Sequence, residues 1–175
     1  RIVGKNRLPQ SRQPCILICN HAAFVDTLYV IAALHPRFVV CGAQPKYFSS
    51  RVKRLALGIL NIIKVENKEQ FLQDCCRLLQ MNEVILIYPA MGRVSDGLGE
   101  FKTWAAEVAI ASHARVIPLY LYGTTKGHRS HKQLMVGDPI PLNPNPEVLT
   151  QDFYQSLMDL EASLVACQEG SLGIP

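Results

Sequence analysis

The chain has 175 residues, of which 49% are hydrophobic and 18% are charged, and its formal net charge is +4. This length supports one domain with a substantial hydrophobic core and is short for two independent domains. The apolar composition excludes an intrinsically disordered chain.

The charge is distributed unevenly along the chain. Residues 143–175 contain five acidic residues and no Lys or Arg, so this segment carries −5 and residues 1–142 carry +9. A strongly basic body indicates an anionic partner such as a phosphate group, a lipid headgroup or a nucleic acid.

Neither a membrane-spanning helix nor a disulfide framework is predicted. The longest uncharged stretch is 13–25, shorter than the roughly 20 residues that a spanning helix needs, and no apolar leader follows Arg1. The six cysteines form no Cys-x-x-Cys pair, and Cys75 and Cys76 are adjacent, which indicates buried thiols in a reducing compartment. We therefore expect the protein to lie on the cytoplasmic side of a membrane.

Continuous apolar runs alternate with stretches of helical periodicity. The runs predict strands at about 15–19, 38–41, 62–65, 84–88, 116–122 and 134–136, and the periodic stretches predict helices at about 25–34, 67–80, 103–112 and 147–167. Strands that are apolar throughout are typical of a parallel sheet covered on both faces. We predict a single α/β domain over 1–175, with a mainly parallel central sheet flanked by helices and an acidic helix within 143–175.

The first polar cluster follows the first predicted strand. In Asn20-His21-Ala22-Ala23-Phe24-Val25-Asp26, a histidine and a carboxylate lie five positions apart at the carboxyl end of a strand, where α/β folds place ligand groups. The two side chains can meet only if His21 lies in the turn and Asp26 in the first helical turn, because five helical residues diverge by about 140°. The pair then fits a base and its orienting carboxylate. Alternatively, Asp26 only complements the helix N-terminus.

A second cluster follows the strand at 84–88. Its loop carries Gly92 and Arg93, and Lys102 comes just beyond. Arg and Lys together on a Gly-containing loop suit a phosphate group. A solvated surface loop is the alternative.

Four ordered stretches resemble the motifs of the glycerolipid acyltransferase family, whose best known members acylate 1-acylglycerol-3-phosphate. Asn20-His21-x4-Asp26 looks like the first motif, and Gly58–Lys64 is similar to the second. Tyr88-Pro89 through Arg93, with Asp96-Gly97 and Phe101-Lys102, resembles the third, and Val116–Leu119 matches the fourth. The resemblance covers about residues 1–142.

The resemblance implies an O-acyltransferase of phospholipid biosynthesis or remodelling. His21 would take the proton of an acceptor hydroxyl, which attacks the thioester of acyl-CoA or acyl carrier protein, and Asp26 would hold the imidazole in the right tautomer. Neither a metal, a resident cofactor nor a covalent acyl-enzyme is implied. Binding of the lysophospholipid-like acceptor would involve Asn20, Lys64, Gly92, Arg93 and Lys102.

One histidine pair lies outside this chemistry. His128 and His131 are flanked by Arg129 and Lys132, with no other metal ligand nearby in the sequence. We interpret the segment as an exposed basic loop rather than a metal site.

The third motif departs from the family pattern, usually Phe-Pro-Glu-Gly-Thr-Arg-Ser. The glutamate position is Ala90, followed by Met91 and Gly92. In the family, that carboxylate is associated with the acceptor site, so its loss indicates a change in which acceptor is used. The histidine and the aspartate of the first motif are kept, which favours retained acyl transfer. The alternatives are a non-glycerophosphate acceptor or a catalytically degenerate member that binds lipid or acyl-CoA.

Residues 47–60 are predicted to form an amphipathic helix or an interfacial segment. Arg51, Lys53 and Arg54 lie beside several Leu and Ile residues, a composition that suits an anionic bilayer surface. Packing of the apolar residues on the sheet is the alternative. With the basic residues assigned to headgroup or membrane contacts, we expect peripheral membrane association and no nucleic-acid partner.

Overall fold

The structure, a computed structural model, describes residues 1–8, 13–22, 24–35, 39–51, 57–58, 62–90, 94, 97–123 and 132–171. Its strands are β1 Ile2–Val3, β2 Cys15–Cys19, β3 Val39–Ala43, β4 Ile62–Lys64, β5 Val84–Ile87, β6 Arg115–Tyr122 and β7 Gln133–Val136. Its helices are α1 Phe24–Leu34, α2 Lys68–Gln80, α3 Trp104–Ser112 and α4 Pro146–Ser171. Short 3₁₀ turns occupy Lys5–Arg7 and Pro45–Phe48.

The described strands form one sheet in the order β1-β7-β6-β2-β5-β3-β4. Every neighbouring pair is parallel except β6 and β7, which run antiparallel. The central strand β2 is buried at all of its residues, as expected for a strand covered on both faces. The predicted fold class, a mainly parallel sheet flanked by helices, is confirmed.

The two faces of the sheet bury separate hydrophobic clusters. Successive residues of β2 point to opposite faces, so Leu17 packs in the cluster that contains Val30 and Leu34 of α1. Ile16 and Ile18 pack in the cluster covered by α2 and α3. Burial on both sides explains why the strand is apolar without alternation.

The acidic helix α4 packs against the same sheet. Its first turn is capped by Asn145 Oδ1, which accepts from the N–H groups of Glu147 and Val148 at 2.9 and 3.0 Å. Phe153 and Leu157 are fully buried, and Tyr120 of β6 donates to Glu161 at 2.5 Å. Within the described residues, no helix is both long enough and apolar enough to cross a membrane.

Some predicted bounds differ from the structure. The strand expected at about 38–41 runs from Val39 to Ala43, and β1 is not predicted because two residues carry no periodicity. The segment 47–60 begins inside the turn Pro45–Phe48 and includes the buried Leu57. Its residues 52–56 and 59–61 lie outside the described residues.

Four parallel neighbours bring their carboxyl ends to one edge of the sheet. His21 follows β2, Tyr88 follows β5, Gln44 follows β3 and Glu66 follows β4. This is the edge at which open parallel sheets place ligand sites.

Candidate active site

His21 and Asp26 are brought together by the turn that precedes α1. The helix begins at Phe24, so His21 lies in the turn and Asp26 in the first helical turn. Asp26 Oδ2 accepts the backbone N–H of Ala22 at 2.8 Å and lies 3.5 Å from His21 Nδ1. The carboxylate therefore caps the turn and faces the imidazole at once, which combines the two interpretations that the sequence left open.

The pair is shielded unequally from solvent. The Asp26 side chain is 1% exposed and that of His21 is 14% exposed. The 3.5 Å separation is longer than a well-formed hydrogen bond, and such contacts in ligand-free sites commonly tighten when substrate binds. The imidazole can therefore reach a ligand while the carboxylate stays behind it.

Tyr88 holds the other side of the imidazole. Its ring stacks on that of His21 with centroids 4.1 Å apart and an interplanar angle of 20°. Its hydroxyl shares a buried 2.9 Å hydrogen bond with Thr27 Oγ1 of α1. Burial raises the pKa of the Tyr88 phenol well above its ordinary value, so the ring stays neutral and serves as a support. The sequence places Tyr88 in the third motif without a role, and its stacking on His21 comes from the tertiary structure.

The loop after β5 touches the turn that carries His21. The N–H of Val94 donates to the carbonyl of His21 at 2.8 Å, and the N–H of Lys102 donates to the carbonyl of Pro89 at 2.9 Å. Two predicted binding residues of this loop, Gly92 and Arg93, lie outside the described residues, and their role stays a prediction.

Asn20 is engaged by the neighbouring strand. Its Oδ1 accepts the N–H of Leu121 at 2.7 Å, and its Nδ2 donates to the carbonyl of the same residue at 3.0 Å. The side chain thereby extends the contact between β2 and β6 beyond Cys19. The bond to Leu121 uses one of the two hydrogens on Nδ2, and a contact of Asn20 with substrate stays a prediction.

The two predicted lysines both have carboxylate partners. Lys64, at the end of β4, forms an ion pair with Glu66, and Lys102 forms one with Glu100 at 2.6 Å. The ammonium of Lys102 lowers the pKa of Glu100. Neither lysine is among the described residues that line the cavity beside His21.

A cavity of about 680 Å³ opens along this edge of the sheet. Its walls include His21 and Tyr88, together with the apolar side chains of Leu86, Phe71 and Trp104. This volume and lining are typical of a small-molecule or cofactor site.

Cys41 also lines the cavity. Burial raises the pKa of its thiol to about 12. The thiol therefore stays protonated at neutral pH, and a protonated thiol is a poor nucleophile.

No group of three or more His, Cys, Asp or Glu side chains suited to a metal ion is found in the described part of the chain. His128 and His131 lie outside it, so their interpretation as a basic loop stays a prediction.

Comparison with known sequences gives consistent matches. The sequence model of the acyltransferase family matches residues 1–122. Chloroplastic 1-acyl-sn-glycerol-3-phosphate acyltransferases of Arabidopsis thaliana and Brassica napus are 28% and 27% identical to this chain over 131 residues, which is 71% of the chain and 36% and 38% of those proteins. A 1-acyl-sn-glycerol-3-phosphate acyltransferase of Chlamydomonas reinhardtii is 26% identical over 170 residues, 89% of this chain and 51% of that protein. The chain thus spans about a third to a half of the length of these relatives.

Comparison with solved structures supports the fold. The crystal structure of the 1-acyl-sn-glycerophosphate acyltransferase PlsC from Thermotoga maritima matches with a TM-score of 0.69 at 16% identity. The match covers 92% of this chain and 71% of that one. Sheet and helices are therefore arranged alike in the two chains.

Proposed function

Because the chain belongs to the acyltransferase family, we propose that it transfers a fatty acyl group from a thioester to a hydroxyl group of a lysophospholipid-like acceptor. One observation carries the proposal: the His21 imidazole lies 3.5 Å from the buried Asp26 carboxylate and also lines a cavity of about 680 Å³. A histidine that is oriented by a carboxylate and open to a ligand has the geometry of a general base.

His21 moves one proton during the reaction. Asp26 faces Nδ1 and favours the tautomer protonated there, which leaves the lone pair of Nε2 for the acceptor hydroxyl. As Nε2 takes that proton, the hydroxyl oxygen attacks the thioester carbonyl. The tetrahedral intermediate then expels the thiolate, which receives the proton. A C–O bond forms, a C–S bond breaks, and the imidazole ends neutral.

The donor is acyl-CoA or acyl carrier protein, which present the same thioester group. The apolar side chains of Leu86, Phe71 and Trp104 on the cavity wall suit a hydrocarbon chain. We infer that the acyl chain of donor or acceptor lies beside the base, in a reaction of phospholipid biosynthesis or remodelling.

A lipid acceptor requires access to a membrane surface. We propose that this contact is made by α1, which begins where the His21 turn ends and which exposes Val25 and Leu28. Peripheral association on the cytoplasmic side is in keeping with the buried thiols Cys19 and Cys41. Co-sedimentation with anionic vesicles measures this association.

The test of the mechanism is acyl transfer with a His21→Ala variant. The protein is assayed with a long-chain acyl-CoA and a panel of lysophospholipids by thiol release and by mass spectrometry of the lipid product. We expect His21→Ala to lower kcat/KM roughly 10²- to 10⁴-fold, the usual contribution of a general base.

His35→Ala is the matched control, since His35 is exposed at the end of α1. It should keep the wild-type rate. Product formation by His21→Ala at the wild-type rate would overturn the mechanism.

A second candidate is a degenerate member that binds lipid without turnover. It is favoured by Ala90 in the third motif and by the ion pairs that engage Lys64 and Lys102. It predicts that lysolipid or acyl-CoA changes the fluorescence of Trp104, the single tryptophan, which lines the cavity, while no acceptor is acylated. Turnover on one acceptor, lost in His21→Ala, excludes this candidate.

A further inference from the structure

The cavity beside His21 carries charges of both signs. Among the described residues that line it, Glu66 is the one carboxylate and Lys46 is the one lysine. Lys64 forms an ion pair with the same Glu66 carboxylate. The wall that an acceptor headgroup would meet therefore carries one carboxylate and one lysine, and a second lysine, Lys64, is paired with that carboxylate.

Glu66 is held in place by its backbone. The N–H of Val65 donates to the carbonyl of Ala43 at 2.9 Å, and that of Glu66 donates to Gln70 Oε1 at 3.2 Å. Gln70 itself lies in the first turn of α2, where Asn67 caps its N–H at 2.8 Å. The connector from β4 to α2 thus fixes the Glu66 backbone between β3 and α2.

These charges disfavour a phosphomonoester headgroup. Such a group carries close to two negative charges at neutral pH. It would compete with the Glu66 carboxylate for Lys64, and it would meet that carboxylate on the cavity wall, where like charges repel.

A headgroup with one phosphodiester and one ammonium group matches the same wall. Its ammonium can replace Lys64 as the partner of Glu66, and its phosphate can bind the lysine that is released, together with Lys46. Each charge then keeps an opposite partner on binding, and this complementarity favours the zwitterionic headgroup over a headgroup that carries negative charge alone.

We propose that Glu66, Lys64 and Lys46 form a subsite for a zwitterionic headgroup, and that Glu66 is the residue that selects it. The inference rests on the proposed acyl transfer and names its acceptor class, a lysophospholipid with a phosphodiester-linked amine. Glu66 acts on the headgroup and takes no part in the proton transfer at His21.

The test compares three acceptors with one acyl chain, one acyl-CoA donor and the same micelles: lysophosphatidylethanolamine, lysophosphatidylglycerol and lysophosphatidic acid. The wild-type protein should show the highest kcat/KM with lysophosphatidylethanolamine, the acceptor that carries an amine. Glu66→Gln should lower kcat/KM for the amine about fivefold, and it should raise kcat/KM for lysophosphatidic acid about twofold, because one charge pair is lost and one repulsion is removed. Lysophosphatidylglycerol has the phosphodiester without the ammonium, and its kcat/KM should not fall.

Glu69→Gln is the matched control. Glu69 is an exposed carboxylate of the first turn of α2 and is not among the described residues that line the cavity. It should leave the ratio between acceptors unchanged. A wild-type preference for lysophosphatidic acid, or an equal effect of Glu66→Gln on all three acceptors, overturns the proposal and leaves the proposed acyl transfer intact.

Absence of transfer to every acceptor would instead overturn the proposed function. The subsite is then tested by binding, with short-chain forms of the same lysolipids titrated against Trp104 fluorescence. The subsite is supported if lysophosphatidylethanolamine binds more tightly than lysophosphatidic acid and if Glu66→Gln weakens that binding. Equal affinities for the amine and lysophosphatidic acid, or an affinity for the amine that Glu66→Gln leaves unchanged, overturn it.

Discussion

At the scale of single residues, Tyr88 packs against the ring of His21, whose Nδ1 faces Asp26. The rings stack 4.1 Å apart, and the hydrogen bond to Thr27 ties the phenol to α1. Tyr88→Leu removes the stack and should lower kcat at least about tenfold with little change in KM, because a displaced base loses its alignment. Tyr88→Phe keeps the ring and should keep most of kcat, while the free energy of unfolding falls by about 1 kcal/mol with the lost hydrogen bond.

Steady-state kinetics over a pH series and urea unfolding measure both effects of the Tyr88 substitutions. A kcat that survives in the phenylalanine variant and falls in the leucine variant supports the positioning role. Equal losses of kcat in the two variants, in proportion to their losses of stability, would show that Tyr88 only stabilises the fold.

At the scale of elements, α1 presents an apolar face beside the site. Asp26 is its one charged residue and is buried, whereas Val25 and Leu28, three positions apart, are 49% and 36% exposed. Replacing both by serine should weaken binding to anionic vesicles at least about tenfold, since two apolar side chains no longer enter the bilayer interface. The control replaces Val148 and Met158, which are similarly exposed on α4, and should leave vesicle binding unchanged. Unchanged binding of the α1 variant would place the membrane contact elsewhere.

At the scale of the whole molecule, buried thiols make the fold sensitive to alkali. Burial raises the pKa of Cys41 and of Cys75 from 9.0 to about 12. The unfolded chain releases these protons near pH 9 while the folded chain keeps them, so the folded state binds more protons and loses stability as pH rises. The contribution of these two thiols to the free energy of unfolding should be fully present below about pH 9 and lost progressively towards about pH 12.

Urea unfolding in the presence of reductant, followed by Trp104 fluorescence, measures this pH dependence. Cys75→Ala removes one of the buried thiols and should make the decline with pH shallower. A free energy of unfolding that stays constant above pH 9 would contradict the assignment of these thiols to the buried core.

The amino-acid pattern was sufficient to predict the α/β class and the helices, and it gave the pairing of His21 with Asp26 as one of two alternatives. Apolar runs such as Ile16–Ile18 and Val84–Ile87 require cover on both faces, because each residue of a strand points to one face or the other. The His21 and Asp26 side chains can meet only across a turn that leads into a helix. Both are local consequences of spacing and hydropathy.

Long-range packing was needed for the remaining contacts of the site. Hydropathy records that a strand is buried but does not record which strand lies beside it, so nothing in the pattern indicated that Leu121 would bind Asn20 or that Tyr88 would stack on His21. The grouping of Glu66 with lysines likewise depends on β3, β4 and β5 ending at one edge of the sheet, where Lys46 and Glu66 line the same cavity. The order of the strands, which the hydropathy pattern leaves open, turns these separate residues into one site.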